Sequence, residues 1–225
     1  MGICLTAGQM KSFQVYFDLL RRENKLLNLT AVIEAKDVAI KHFLDSLSCL
    51  RAVPFEGRMK VLDVGTGAGF PGIPLKICRP ELMVTLLESA EKKAVFLGKL
   101  IRGLDLAAVE VIRARAEDIG RERGYREGFD RVVARAVARL RVLAEYCLPA
   151  VKEKGFFVAM KGIASAEELE EAGKAIRELG GVVKEVFHLN LPFTGENRNL
   201  VLVEKIGPTP LKYPRRPGIP LKRPL

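Results

Sequence analysis

Asp63, Gly65, Gly67 and Gly69 alternate directly behind an apolar run, and a second acid, Glu88, follows about 20 residues on, where a carboxylate accepts from ribose hydroxyls. Glycines at that spacing let the backbone turn tightly and approach a bound molecule closely. Beyond them, Glu117 with Asp118, Arg135, Lys161 and Arg198 each fall at the end of an apolar stretch, and His42 stands in a helical one. Such a set can bind a nucleoside-bearing cofactor and an anionic substrate. It offers no nucleophile paired with a base.

The elements that must position these residues are legible around them. Val61-Leu62-Asp63-Val64 has the length and branching of a buried parallel strand. Ile73 to Cys78 can form a short helix with Pro71 and Pro74 at its start, and Val84 to Leu87 forms a second strand ending on Glu88. This is half of a nucleotide-binding β-α-β unit. Gly67 to Gly72 satisfies the dinucleotide pattern G-x-G-x-x-G, so an NAD-linked oxidoreductase is one reading. A pyrophosphate, however, needs free amides at a helix start, where Phe70 and Pro71 stand and Pro71 donates nothing. S-adenosylmethionine carries no phosphate; the D-x-G-x-G-x-G run with Glu88 after the next strand suits its methionine tail and ribose.

Residues 6 to 27 read as an amphipathic helix capped by Thr6, with Met10, Phe13, Phe17 and Leu20 as its packing stripe. Asn28-Leu29-Thr30 breaks it, and a second helix runs from Asp37 to about Ala52. Residues 1–57 are thus expected to form a helical N-terminal cap on a domain spanning 58–206. In that domain a helix (91–102) leads to a strand at 109–112, and a polar loop (115–130) leads to a strand at 131–134. A helix (137–148), a strand (155–160) and a helix to Leu179 opened by Ser165 with Glu168 follow; a closing antiparallel pair occupies 182–189 and 200–204. Regular alternation of this kind implies an α/β fold with a mostly parallel sheet. Six prolines in the tail, 207–225, favour an extended path.

The chain carries a net charge of +10 over 225 residues, which points to a polyanionic partner. Lys212, Arg215, Arg216, Lys222 and Arg223 crowd the tail with no acid among them. The four cysteines lack C-x-x-C spacing, so neither a disulfide framework nor a zinc site is indicated. No apolar run is long enough for a membrane span, and the expected location is the cytoplasm.

Ligands in an open parallel sheet bind beyond the carboxyl ends of the strands. There Glu117 or Asp118 either accepts from an adenine amino group, with Ala116 offering backbone contacts, or belongs to a solvated loop. Arg135 either holds an anionic group or pairs with an acid. Methylation of exocyclic amines uses an N-P-P-Y-like turn, yet that position reads Val133-Ala134-Arg135-Ala136; carbon-5 methylation needs a nucleophilic cysteine, yet Cys147 has core spacing. A ring nitrogen with its own lone pair, such as guanine N7, needs neither device.

The chain closely resembles the GidB (RsmG) family of bacterial small-subunit ribosomal RNA methyltransferases, which modify a guanine at N7. The resemblance rests on Asn28-Leu29-Thr30-Ala31, His42 to Leu47, Asp63 to Pro74, Lys92-Lys93, Arg115-Ala116-Glu117, Arg135-Ala136-Val137, Lys161-Gly162, Arg198 to Val201 and Tyr213 to Pro220, and so spans nearly the whole chain. It implies a Rossmann-like class I methyltransferase fold with a seven-stranded sheet. It implies S-adenosylmethionine contacts at Gly65, Phe70, Ala116, Glu117 and Arg135, with Glu88 near the ribose and S-adenosylhomocysteine as product. The implied partner is 16S ribosomal RNA, free or in a small-subunit assembly intermediate, acted on by a monomer. We expect His42, Lys161, Arg198 and the tail residues Arg215, Arg216, Lys222 and Arg223 to hold that RNA. For His42 a core role beneath Phe43 is an equal alternative, and a non-catalytic RNA-binding module of the same fold is a further one.

Overall fold

A computed structural model describes residues 2–135, 137–162 and 166–225. Among them seven strands form one sheet in the order β3-β2-β1-β4-β5-β7-β6. The strands are β1 (Lys60–Val64), β2 (Met83–Leu87), β3 (Val109–Ile112), β4 (Phe129–Arg135), β5 (Val151–Lys161), β6 (Gly181–Asn190) and β7 (Asn197–Lys205). β1 to β5 pair in parallel, while β7 runs antiparallel to both β5 and β6. Strand order reverses between β1 and β4, which places the ligand crevice beyond Val64 and Arg135.

Side-chain alternation assigns the two faces. In β4, Val133 packs toward one face and Val132 and Ala134 toward the other. The first face is covered by α1 (Ala7–Leu27), α5 (Gly72–Cys78) and α6 (Glu91–Gly103); the second by α8 (Leu140–Cys147) and α9 (Ala166–Glu178). The helix expected over 37–52 is broken up, as α2 (Ala35–Val38), a π-helical turn (Ala39–Leu44), α3 (Asp45–Leu47) and α4 (Cys49–Ala52). No proline or glycine marks that widening in the sequence.

α1 opens on the expected cap: Gln9 N–H donates to Thr6 Oγ1 and Thr6 N–H to Gln9 Oε1, a reciprocal box. Its buried stripe, however, is Phe13, Tyr16 and Leu20, and Met10 is 56% exposed. The face is rotated because Tyr16, outside the expected stripe, donates its hydroxyl to Ala68 O (2.6 Å) and stacks its ring on Phe70. The expected loop 115–130 contains a short helix, α7 (Ala116–Ile119), before β4 begins. The Ser165 cap lies outside the described residues. Glu168, its expected partner, accepts from Leu140 N–H at the start of α8.

The tail is not wholly extended, since Ile219–Lys222 forms one helical turn, α10. Pro220 sits in its first turn, where a missing N–H costs nothing, so the proline count misled. Lys205 is completely buried and donates to Glu127 Oε1, Leu148 O, Val151 O and Thr209 Oγ1, which fixes the start of the tail to the sheet.

Gly72 is a close-packed joint between α5 and the sheet. A Cβ there would lie 2.6 Å from Leu86 Cδ2 and 2.8 Å from Asp63 Oδ2. Gly72→Ala should therefore lower stability by about 1–3 kcal/mol in denaturant unfolding, the cost of overpacking. Gly124→Ala, where a Cβ meets nothing within 4 Å, should stay within about 0.5 kcal/mol of the parent.

Candidate active site

The glycine turn is built on a buried acid. Asp63 is 0% exposed and its Oδ2 accepts from Thr66 Oγ1 (2.5 Å) and Gly72 N–H (2.7 Å). Burial pushes its carboxyl up to about 6, against the pull of those two donors. Gly65, Gly67 and Gly69 all have positive φ, but they serve different ends. Gly65 is exposed and Gly67 opens outward, whereas a Cβ on Gly69 would meet Tyr16 Oη at 2.6 Å. Gly69 is thus required for packing against α1, and the ring of Phe70, 5% exposed, is core as well.

Glu88, at the end of β2, is buried and bridges the turn to α6: its Oε2 accepts from Gly67 N–H (3.0 Å) and its Oε1 from Ala90 N–H (2.8 Å). Beyond it a narrow cleft of about 150 Å³ is lined by Gly65, Leu87, Ala114, Ala116, Val137 and Tyr146 among others. Val137 Cγ2 lies 2.8 Å from where a Gly65 Cβ would stand, so only glycine leaves the entrance open. Glu117 sits in this wall, 3% exposed, and its Oε1 accepts from Gly218 N–H (2.9 Å) in the tail; Asp118 is exposed. Of the two acids, Glu117 alone faces the cleft.

Beyond the ends of β4 and β5, against the N-terminal helices, a cavity of about 470 Å³ is lined by Lys41, His42, Asp45, Arg135, Lys161 and Arg198, with Met160 and Val32 as apolar contacts. Arg135, leaving the end of β4, lies over Phe70 and donates to Lys41 O (3.2 Å) and Asp45 Oδ2 (3.3 Å). Asp45 is 3% exposed and also pairs through Oδ1 with Arg198 Nε (3.3 Å). Lys161 donates to Ala138 O and pairs with Glu168, and Arg198 with Glu196. Each cation of the chamber is thus matched by a carboxylate.

His42 accepts or donates between Thr30 Oγ1 (2.7 Å) and Lys41 O (3.1 Å) and packs its ring on Phe70. Burial, then the Arg135 charge, lowers it to about 4, so it is neutral at physiological pH. Of the basic tail residues, Arg216, Lys222 and Arg223 are exposed. Arg215 instead grips the buried Glu145 through Nε and Nη2.

Relatives agree on what this arrangement is. Residues 9–201 match the family described as rRNA small subunit methyltransferase G. The chain belongs to this family. It is 58% identical over its full length, and over 94% of the relative, to ribosomal RNA small subunit methyltransferase G of Pelotomaculum thermopropionicum, and 49% identical over the same shares to that of Desulforamulus reducens. Solved structures of lower identity share its fold. TYW2 of M. jannaschii, in complex with AdoMet, superposes with a TM-score of 0.60 at 15% identity, covering 78% of this chain and 80% of that one. TrmN of Thermus thermophilus superposes with a TM-score of 0.57 at 18% identity, covering 72% and 48%.

Sequence reasoning placed Glu88, Glu117, Arg135, Lys161 and Arg198 at strand ends; in the structure Glu117 lines the narrow cleft, Arg135, Lys161 and Arg198 line the larger cavity, and Glu88 is bonded to the glycine turn. It missed Asp45 and Tyr16. Asp45 sits beyond a π-helical turn that no pattern signals, and Tyr16 acts through a single hydrogen bond to the glycine turn. Cys147, read as core from its spacing, is fully buried with its thiol pushed up by that burial. Among the described residues no cluster could hold a metal ion, and no helix is long and apolar enough to cross a membrane.

The pH dependence has a worked sign. His42 binds its proton near 6.5 when unfolded and about 4 when folded, so stability falls as pH drops from 6.5 to 4. Asp63 shifts the opposite way, from 3.8 to about 6, and contributes stability as pH drops through that interval. An NMR titration should find the His42 ring signals unchanged from pH 8 to 5.5 with a midpoint near 4; a midpoint near 6.5 would contradict the packing.

Proposed function

We propose that the chain transfers the methyl group of S-adenosylmethionine to N7 of a guanine in 16S ribosomal RNA, as a single chain whose residues 1–57 wall the substrate side. The observation that carries the reading is the pair of hollows at the carboxyl ends of the strands, a narrow slot against Gly65, Ala116 and Val137 and a larger one under the helical cap lined by charged side chains.

The residues present fit that donor. The slot is narrow and has Leu87, Ala114, Ala116 and Val137 as apolar walls, as an adenine needs; Glu88, bonded to the glycine turn, keeps lone pairs that can accept from ribose hydroxyls; Gly65 and Gly67 leave backbone room for the amino-acid end. A dinucleotide fits less well, because Gly72 N–H, the first amide of α5, is already given to Asp63 and Ile73 N–H to Gly69 O. When bound, S-adenosylmethionine supplies an electrophilic methyl on a sulfonium. The N7 lone pair forms the new N–C bond as the C–S bond breaks, the bonding pair stays on sulfur, and the positive charge passes to the guanine.

No proton is lost, so no general base is required and the protein's part is positioning and electrostatics. A neutral His42 does not oppose the charge that develops on the ring, and the buried Asp45 carboxylate lies in the same chamber. Lys161 and Arg198 can exchange their carboxylates for RNA phosphates, with Arg216, Lys222 and Arg223 extending the basic surface.

Labelled donor incubated with protein-free 16S RNA and with assembled small subunits, followed by nucleoside digestion and mass analysis, tests the reaction. Label in 7-methylguanosine is the expected result, and the preferred substrate shows whether transfer precedes assembly; label on another atom overturns the N7 reading. Glu88→Gln, which leaves one amide without an acceptor, should weaken S-adenosylhomocysteine binding roughly ten- to hundredfold in calorimetry. Lys161→Ala with Arg198→Ala should lower the salt slope of RNA binding by about 1–2 while cofactor affinity is kept.

A further inference from the structure

The tail touches both walls of the slot. Pro214 lies on Gly120 at the end of α7, where an added Cβ would meet Pro214 Cγ at 2.9 Å, and Arg121 Nε donates to Pro214 O (2.7 Å). Four residues on, Gly218, in a left-handed turn at φ 83°, gives its N–H to Glu117. On the facing wall, Glu145 of α8 is 0% exposed and accepts from Arg215 three ways, from its backbone N–H (2.8 Å), Nε (2.8 Å) and Nη2 (2.5 Å). Tyr146, the next residue of α8, lines the slot as Glu117 does. From below, Arg126 binds the tail carbonyls of Thr209 (2.6 Å) and Tyr213 (2.7 Å) and also Gly120 O (2.9 Å), joining tail and α7 in one network.

We infer that residues 213–218 act as a clasp that sets the width of the cofactor slot, with Arg215 and Gly218 as positioning residues for Tyr146 and Glu117. Arg215 is therefore assigned to cofactor affinity, while its exposed neighbours Arg216, Lys222 and Arg223 are left for RNA. The Gly218 amide fixes one oxygen of Glu117, and a carboxylate with about four lone-pair sites keeps capacity for an adenine amino group. Unlike a surface ion pair, the Arg215–Glu145 contact is bidentate and closed on one side by the protein interior, which gives it directional hold.

The inference rests on the S-adenosylmethionine reading, and the test separates the two. Glu145→Gln combined with Arg215→Met removes both charges together, so that no buried carboxylate is stranded. Gly218→Pro removes the donor to Glu117 and the left-handed turn at a surface position. Arg215→Lys keeps one ion pair. For each, S-adenosylhomocysteine affinity, donor KM, kcat, RNA affinity and the unfolding midpoint are measured in the full chain. The clasp predicts that the double variant and Gly218→Pro bind S-adenosylhomocysteine at least tenfold more weakly. Donor KM should rise in parallel, kcat at saturation and RNA affinity should stay within twofold, and Arg215→Lys should fall between. Folded variants that bind S-adenosylhomocysteine within twofold of the parent, or lose RNA affinity alone, overturn it. If the double variant does not fold, Gly218→Pro decides. A parent chain that fails to bind S-adenosylhomocysteine defeats the donor reading itself.

Discussion

One buried carboxylate organises the crevice. Asp63, without exposure at the middle of β1, ties the Thr66 hydroxyl and the Gly72 amide to a single oxygen and so closes the glycine turn on itself. Everything that faces a ligand depends on that closure: Gly65 and Gly67 are turned outward, Gly69 inward against Tyr16, and the first amide of α5 is withdrawn from anion binding. The cost of holding an acid in the core is visible in its raised pKa. It is offset because a turn with three left-handed glycines would otherwise have many competing shapes.

Charge in the substrate chamber follows a second constraint. Arg135, Arg198 and Lys161 converge there, and unpaired guanidinium groups at that burial would be expensive. Asp45, Glu196 and Glu168 neutralise them. Lys41 shares Glu196 with Arg198, so the cations of the chamber are held in a network of shared carboxylates.

The sheet was legible because strands buried on both faces read as short apolar runs, and β1, β2 and β3 were placed to within one residue. The positions of Glu88 and Arg135 were legible because strand ends are fixed once strands are. Features made by contact were not. Tyr16 stands outside the expected stripe, and no short stretch of sequence shows that its hydroxyl meets Ala68 O. Arg215 reads as one more basic tail residue, since nothing in a local window reports that Glu145, seventy residues earlier, is buried beneath it. Pro220 pointed away from helix by composition, when only its position within the turn mattered.

The π-helical turn at Ala39–Leu44 holds one residue more than an α-helical turn would. Its Lys41 carbonyl is the one that Arg135 reaches; His42 within it and Asp45 directly after it both line the chamber. Because successive helical residues are separated by about 100°, deleting a single residue here would swing one end of the segment by that angle and carry either His42 or Asp45 away from Arg135. In this stretch the count of residues is a stricter requirement than their identity: a conservative exchange of Ala39 or Leu44 preserves the register, and a shortening by one destroys it.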